Sequence, residues 1–195
     1  MEQDEVWNAI APKWSKMRTE TSEEVLNFLK GKQGKILDVG CGSGRNFVEL
    51  DGAEIFGVDF SEKMISLAKK RGIAKELFCA KSDELPFEDE TIDYCLCYAL
   101  LHCVETEEDR RETIEEIYRV LKVGGEAFIS VWGKNSPRLK SRDKEGLVPW
   151  TVNGEKFYRY TYVFDLKELE GLVKSVGFEI VNSGEDKNAW VVVKK

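Results

Sequence analysis

Apolar residues at helical spacing open the chain. Val6, Trp7, Ile10, Trp14 and Met17 lie along one side of an amphipathic helix. A second short helix is expected from Ser22 to Lys30, with Thr21 and Glu24 as a capping box and Gly31 at its end. From Lys35 the pattern changes to short apolar runs. Lys35 to Val39 reads as a buried strand, followed by a glycine-rich turn and a short helix through Phe47, Val48 and Leu50. Further strands are expected at Glu54 to Val58, Leu77 to Cys79, Thr91 to Cys97, Ala127 to Trp132, Phe178 to Val181 and Ala189 to Val193. Between them, Ser61 caps a helix that carries Met64, Ile65, Leu67 and Ala68. Ile114, Ile117, Tyr118 and Leu121 mark another, which Gly124-Gly125 is expected to end. After Trp132 a polar loop is expected to about Trp150, and a last helix covers Leu166 to Val176.

Strand alternating with helix specifies an α/β fold. The expectation is one Rossmann-like, seven-stranded, mostly parallel sheet with an antiparallel last strand, helices on both faces and an N-terminal helical lid. No repeat or Pro/Ser linker divides the chain, so residues 1–195 are expected to form a single domain, with a helical cap at 1–31 and an acceptor-side loop or insertion at 133–164. Ligands of such sheets bind at the carboxyl ends of the strands, near the switch point of the strand order. That gathers the glycine turn, Asp59, the stretch Tyr98 to His102, and Trp132 around one crevice.

The 195 residues suffice for a real core, and 42% hydrophobic with 33% charged residues describe a soluble globular chain. A net charge of −7 argues against wrapping wholesale around nucleic acid. No basic leader with an apolar core opens the chain. The longest apolar run, Tyr94 to Val104, is about half the roughly 20 residues of a membrane helix. A cytoplasmic protein with no membrane partner is therefore expected. The cysteines, Cys41, Cys79, Cys95, Cys97 and Cys103, fit free thiols in a reducing compartment. Cys95, Cys97, His102 and Cys103 lack the paired spacing of a structural zinc site, so no metal is assigned.

The turn Asp38-Val39-Gly40-Cys41-Gly42-Ser43-Gly44 follows a strand and precedes Asp59 at the end of the next. An acidic side chain there can accept hydrogen bonds from both hydroxyls of a ribose. The competing dinucleotide fingerprint needs glycine five residues after Gly40, where this chain has Arg45. The turn better suits a cofactor without phosphates. It resembles, together with Gly57-Val58-Asp59-Phe60-Ser61, Leu85-Pro86-Phe87 and Leu121-Lys122-Val123-Gly124-Gly125, the class I S-adenosylmethionine-dependent methyltransferases. The resemblance implies S-adenosyl-L-methionine as cofactor and assigns to it Asp38, Gly40, Gly42, Gly44, Asp59, Phe60, Met64, Ser82, Asp83 and Tyr98. In many relatives an acidic residue precedes the adenine-facing loop; here Lys81 stands there, which leaves adenine to the Ser82 backbone or to Asp83.

The flanks narrow the family. The opening Val6 to Arg18, Leu101-His102, Ser130-Val131-Trp132, Val148-Pro149-Trp150, Arg159 to Phe164 and Asn188 to Val193 resemble the tRNA methyltransferases that esterify 5-carboxymethyluridine at the wobble position. A carboxylate is ionised at neutral pH, so transfer to it needs alignment and desolvation rather than a strong base. Arg18 and Arg159 are the candidate anchors, because arginine grips carboxylates and phosphates bidentately. Trp132, Tyr160 and Tyr162 are candidates to stack on an unpaired base, and His102 to orient the acceptor. Trp7 and Trp14 read foremost as core packing. Lys134, Arg138, Lys140, Arg142 and Lys144 form a basic run bordering the crevice. The resemblance implies tRNA as substrate, and, for an archaeal or eukaryotic source, a small zinc-binding activator subunit as partner. Two other readings stay open: a small-molecule methyltransferase acting on a carboxylate, phenol or quinone precursor, and a cofactor-binding domain without catalysis.

Overall fold

The computed structural model describes residues 1–135 and 143–195. Helices α1 (Gln3–Met17) and α2 (Glu23–Leu29) precede β1 (Gly34–Val39), β2 (Ala53–Asp59), α3 (Glu62–Lys69), β3 (Glu76–Cys79) and β4 (Ile92–Tyr98). A single 3-10 turn, Leu101–Cys103, leads to α4 (Glu107–Val120) and β5 (Leu121–Trp132). A two-stranded ribbon follows, β6 (Glu145–Val152) and β7 (Glu155–Tyr162), and then α5 (Leu166–Val176), β8 (Glu179–Glu185) and β9 (Asn188–Lys194). The seven-stranded sheet has the order β3-β2-β1-β4-β5-β9-β8. Its first five strands run parallel, and β9 lies antiparallel between β5 and β8.

Alternation along the strands divides the core. Leu37, Val39, Cys95, Cys97, Ile129 and Val131 face α4 and α5, which supply Ile114, Ile117, Leu169 and Val173. Ile36, Ile55, Leu96 and Phe128 face α2 and α3, through Val25, Leu29, Ile65 and Ala68. Cys95 and Cys97 are thus small core hydrophobes, the usual fate of a buried free thiol. A third, smaller cluster joins α1 to the ribbon: Val6 and Ile10 pack on Phe157, with Trp7, Trp14, Trp150 and Val152 at its margin. Gln3 pins the start of α1 to β7, accepting from the Tyr160 N–H at 2.9 Å and donating to the Tyr158 carbonyl at 3.3 Å. Asn8 Oδ1 accepts from Ser61 Oγ and the Lys63 N–H, tying the same helix to the start of α3. Among the described residues no helix is long and apolar enough to cross a membrane.

Four local expectations are corrected. The segment after the glycine turn forms successive turns rather than a helix. The carbonyls of Ser43 and Arg45, which a helix would have used, accept instead from Arg71 Nε at 2.9 Å and Thr21 Oγ1 at 2.7 Å. Ser22, not Thr21, caps α2, accepting from the Val25 N–H, because the helix starts at Glu23. Gly124-Gly125 does not end α4, which stops at Val120; the pair lies in a register shift of β5 against β4. The polar loop reaching Trp150 is in part the strand β6, hydrogen-bonded to β7 across an Asn153-Gly154 turn in which both residues have positive φ.

Gly57 in the middle of β2 is enclosed: a Cβ there would lie 2.7 Å from Leu77, 2.8 Å from Phe47 and 2.9 Å from Cys41. Gly57→Ala is therefore expected to destabilise the chain by about 1–3 kcal/mol through overpacking, read by urea denaturation. An unchanged midpoint would show that the glycine turn does not pack on β2 as described.

Candidate functional site

The strand order reverses between β1 and β4, and the ends of these strands open into a cavity of about 200 Å³. Gly40, Gly42, Val58, Asp59, Phe60, Met64, Lys81, Ser82, Asp83 and Tyr98 line it, with α1 contributing Gln3, Trp7 and Trp14. Gly42 has φ 54°, and a Cβ on it would meet nothing within 4 Å. The turn therefore presents bare backbone to the cavity. Asp59 closes the turn against β2: one carboxylate oxygen accepts from the Gly42 N–H at 2.8 Å, the other from the Ser61 N–H at 3.0 Å. Each oxygen retains a second lone pair, enough for the two hydroxyls of a ribose. Burial pushes the Asp59 carboxyl up to about 6, and these two hydrogen bonds hold it from rising further.

Three buried oxygens around this cavity have no hydrogen-bond partner: Asp38 Oδ1, Asn46 Oδ1 and Asp83 Oδ1. Asp38 lies beneath the glycine turn, where burial raises its carboxyl to about 7 against the lowering charge of Arg45 and the hydrogen bond from Asn46. Unsatisfied buried acceptors are costly, and these suit the ammonium and amine donors of S-adenosyl-L-methionine. Asp83 and Lys81 both line the far end, and Ser82 Oγ lies 2.8 Å from Thr113 Oγ1. Asp83 thus brings a carboxylate to the cavity beside Lys81.

A second cavity, of about 410 Å³, adjoins the first and shares Trp7, Trp14, Arg18, Arg45, Tyr98, Ala99 and Cys103 with it. It adds His102, Trp132, Arg159, Lys187 and Asn188. Its lining among the described residues contains four cations and no carboxylate, on a chain whose net charge is −7. Arg159, only 3% exposed, comes from the inward face of β7 and lies 5.0–5.8 Å from the ring centres of Trp7, Trp14, Trp132 and Trp150. Arg18 follows the last turn of α1, its guanidinium 5.2 Å from the Trp14 ring. His102 stacks on Trp132 at 4.6 Å, and its Nδ1 accepts from the Trp132 N–H at 3.3 Å. That bond assigns the proton to Nε2. Burial, with a smaller push from Arg159, lowers His102 to about 3. The imidazole is neutral at physiological pH, with its one N–H on Nε2.

Arg18, His102, Trp132 and Arg159 therefore converge on one cavity, and of the residues assigned to the cofactor, all but Asp38 and Gly44 line the other. Asp38 acts from below, and Gly44 packs on Phe47. Tyr160 and Tyr162 are corrected: strand alternation turns them away from the cavity. Tyr160 hydrogen-bonds Glu145, and Tyr162 hydrogen-bonds Glu168 and stacks beneath Arg110. In the basic run, Lys134 and Lys144 pair with Glu185 and Glu168, whereas Arg138, Lys140 and Arg142 lie outside the described residues. Trp7 and Trp14 join the small core and line both cavities as well. Arg45, Ala99 and Lys187 also line the second cavity, with no signal in the sequence for that role. Arg45 was visible only as the position where a dinucleotide turn needs glycine. Ala99, held at φ 60°, carries no sequence signal for that conformation.

Residues 37–129 match the family described as a methyltransferase domain. The chain is 32% identical over 154 residues to the tRNA (carboxymethyluridine(34)-5-O)-methyltransferase of Arabidopsis thaliana, covering 78% of this chain and 36% of that protein. It is 28% identical over 221 residues to the protein of the same name from Schizosaccharomyces pombe, covering 98% and 95%. The chain thus spans about a third of the first relative and nearly all of the second. A solved S-adenosylmethionine-dependent methyltransferase from Methanosarcina mazei shares the fold with TM-score 0.73 at 24% identity, over 90% of this chain and 98% of that one. So does a Haloferax volcanii methyltransferase solved in complex with the Trm112 methyltransferase activator, at TM-score 0.73 and 16% identity, over 100% and 98%.

The raised carboxyls give the cofactor site a definite pH dependence. In the folded chain Asp38 and Asp59 keep their protons to about pH 7 and 6, so their contribution to stability is present in acid and lost as pH rises through those values. Ligand binding runs the other way, since a ligand ammonium favours the ionised forms. Calorimetric affinity for S-adenosylhomocysteine is expected to rise by about tenfold or more between about pH 5.5 and about pH 8, and Asp59→Asn to flatten the lower part of that profile. A flat wild-type profile would contradict the placement of the ligand over these carboxylates.

Proposed function

We propose that the chain is an S-adenosylmethionine-dependent methyltransferase, as its match to a methyltransferase-domain family over residues 37–129 supports, and that it methylates the carboxylate of 5-carboxymethyluridine at the tRNA wobble position. The observation that carries this reading is the second cavity, which adjoins the cofactor site and is lined by Arg18, Arg45, Arg159 and Lys187 without a carboxylate among the described residues. Such a lining selects an anion. Trp7, Trp14 and Trp132 add aromatic faces fitted to a base. The names of the Arabidopsis and Schizosaccharomyces relatives support a tRNA acceptor.

When bound, the cofactor supplies an electrophilic methyl, which a carboxylate oxygen accepts with no proton to remove. The chain's own residues need to bind, orient and desolvate. Arg18 and Arg159 hold the acceptor carboxylate or a neighbouring phosphate. His102 donates from Nε2 to fix the acceptor's orientation, while its Nδ1 lone pair is taken by the Trp132 N–H and is not turned to the acceptor as a base. Trp7 and Trp14 on α1 cover both cavities and keep water out of the junction. The Haloferax neighbour's complex supports an activator subunit as partner. A small carboxylate metabolite is the second acceptor that the basic cavity accommodates.

Incubation with labelled S-adenosylmethionine and bulk tRNA from a strain lacking the wobble ester, with and without activator, tests the reading. Label is expected in a modified uridine and is expected to be released by mild alkali, as a methyl ester must be. Label absent from tRNA even with the activator, or stable to alkali, would refute it. Arg18→Ala is expected to lower transfer by about tenfold to a hundredfold, the worth of a charge-assisted contact, while S-adenosylhomocysteine affinity stays within about twofold. Equal loss of both would place Arg18 on the cofactor instead.

A further inference from the structure

Arg45 stands on the cofactor turn yet faces both cavities. Its backbone is fixed on each side. Gly44 before it has φ 75°, and a Cβ there would come within 2.5 Å of the Phe47 ring. The Arg45 carbonyl accepts at 2.7 Å from Thr21 Oγ1. The side chain then lies across Tyr98, with the guanidinium carbon 4.8 Å from the ring centre. A guanidinium laid on an aromatic face keeps its fork of N–H donors free of that face, and the fork matches a carboxylate bidentately. Tyr98 ends β4 and also lines both cavities. Among the described residues that line both, Arg18 and Arg45 are the charged ones.

We propose that Arg45 is a specificity-determining residue for the acceptor: together with Arg18 it grips the acceptor carboxylate at the junction of the two cavities and discriminates against a neutral group of the same shape. The proposal rests on the reading above only in taking the acceptor to be a carboxylate, whether carried by tRNA or by a small molecule. It also accounts for product release. Once the carboxylate becomes an ester its charge is gone, and the grip that held the substrate no longer holds the product. The competing role, a charge partner for the buried Asp38, would make Arg45 a cofactor residue.

Three tryptophans line the second cavity, so intrinsic fluorescence reports its occupancy. The full chain saturated with S-adenosylhomocysteine is titrated with uracil-5-acetate and with uracil-5-acetamide. The wild type is expected to bind the acid about tenfold or more tightly than the amide. Arg45→Gln is expected to bring the two within about twofold, and Arg45→Lys, a charge without the planar fork, to retain part of the preference. S-adenosylhomocysteine affinity, measured by calorimetry on the same variants at about pH 9, where Asp38 is ionised without help from the Arg45 charge, is expected to change by less than about twofold. A preference that survives Arg45→Gln, a wild type with no preference, or a loss of S-adenosylhomocysteine affinity equal to the loss of acid binding would each overturn the proposal. Failure of the tRNA reading appears separately, as wild-type protein that leaves tRNA unlabelled while the acid preference and its loss in Arg45→Gln stand.

Discussion

The burial of Arg159 among four tryptophans is the constraint on which the second cavity depends. A guanidinium taken out of water costs several kcal/mol unless its surroundings replace the lost hydration. Here the faces of Trp7, Trp14, Trp132 and Trp150 contribute to that replacement, each contact worth about 0.5–2 kcal/mol. These rings come from α1, β5 and β6, and Arg159 itself from β7. The cation therefore helps hold the N-terminal helix, the ribbon and the rim of the sheet in one arrangement. Loss of any partner exposes the rest, which is why an element outside the central sheet has a fixed position over the site.

That arrangement places two cavities side by side that differ in their acids. Asp59, Asp83, Glu105 and Asp109 line the first together with Arg18, Arg45 and Lys81, whereas the second has, among the described residues, Arg18, Arg45, Arg159 and Lys187 and no carboxylate. Their shared wall holds the residues able to sense both. Ala99 is one, kept in a left-handed conformation between β4 and the 3-10 turn, with its N–H donating to the Ser130 carbonyl at 2.8 Å. Backbone strain of this kind persists where the surroundings over-determine the conformation. His102 follows three residues later, its ring aligned by the Trp132 backbone. It is neutral, with Nδ1 engaged by that backbone and the proton on Nε2.

What was legible in the sequence follows from the range of the physics involved. The glycine turn and Asp59 were readable because the turn, the strand and the next strand's end form a local unit. The rule that ligands sit at strand carboxyl ends then brought Tyr98, His102 and Trp132 to the same place. The β6 half of the ribbon reads as loop although Asn153-Gly154 is a strong hairpin signal, because Gly146 and Pro149 interrupt it and Leu147 on its outer face blurs the alternation of Val148, Trp150 and Val152. The helix expected after the glycine turn was lost to tertiary hydrogen bonds from Thr21 and Arg71, which no local pattern reveals. Tyr160 and Tyr162 were placed wrongly for a simpler reason. Once Arg159 points inward, period-two alternation sends its neighbours outward.

The two cavities meet at Tyr98, Ala99 and Cys103, and the proposed transfer takes place there. A crystal structure of the chain with S-adenosylhomocysteine tests it most directly. The account predicts ribose hydroxyls on Asp59, the amino group near Asp38 and Asn46, and the sulfur at that junction, open toward Arg18, Arg45 and His102. A sulfur turned away from the basic cavity, or a ligand seated without contact to Asp59, would contradict it.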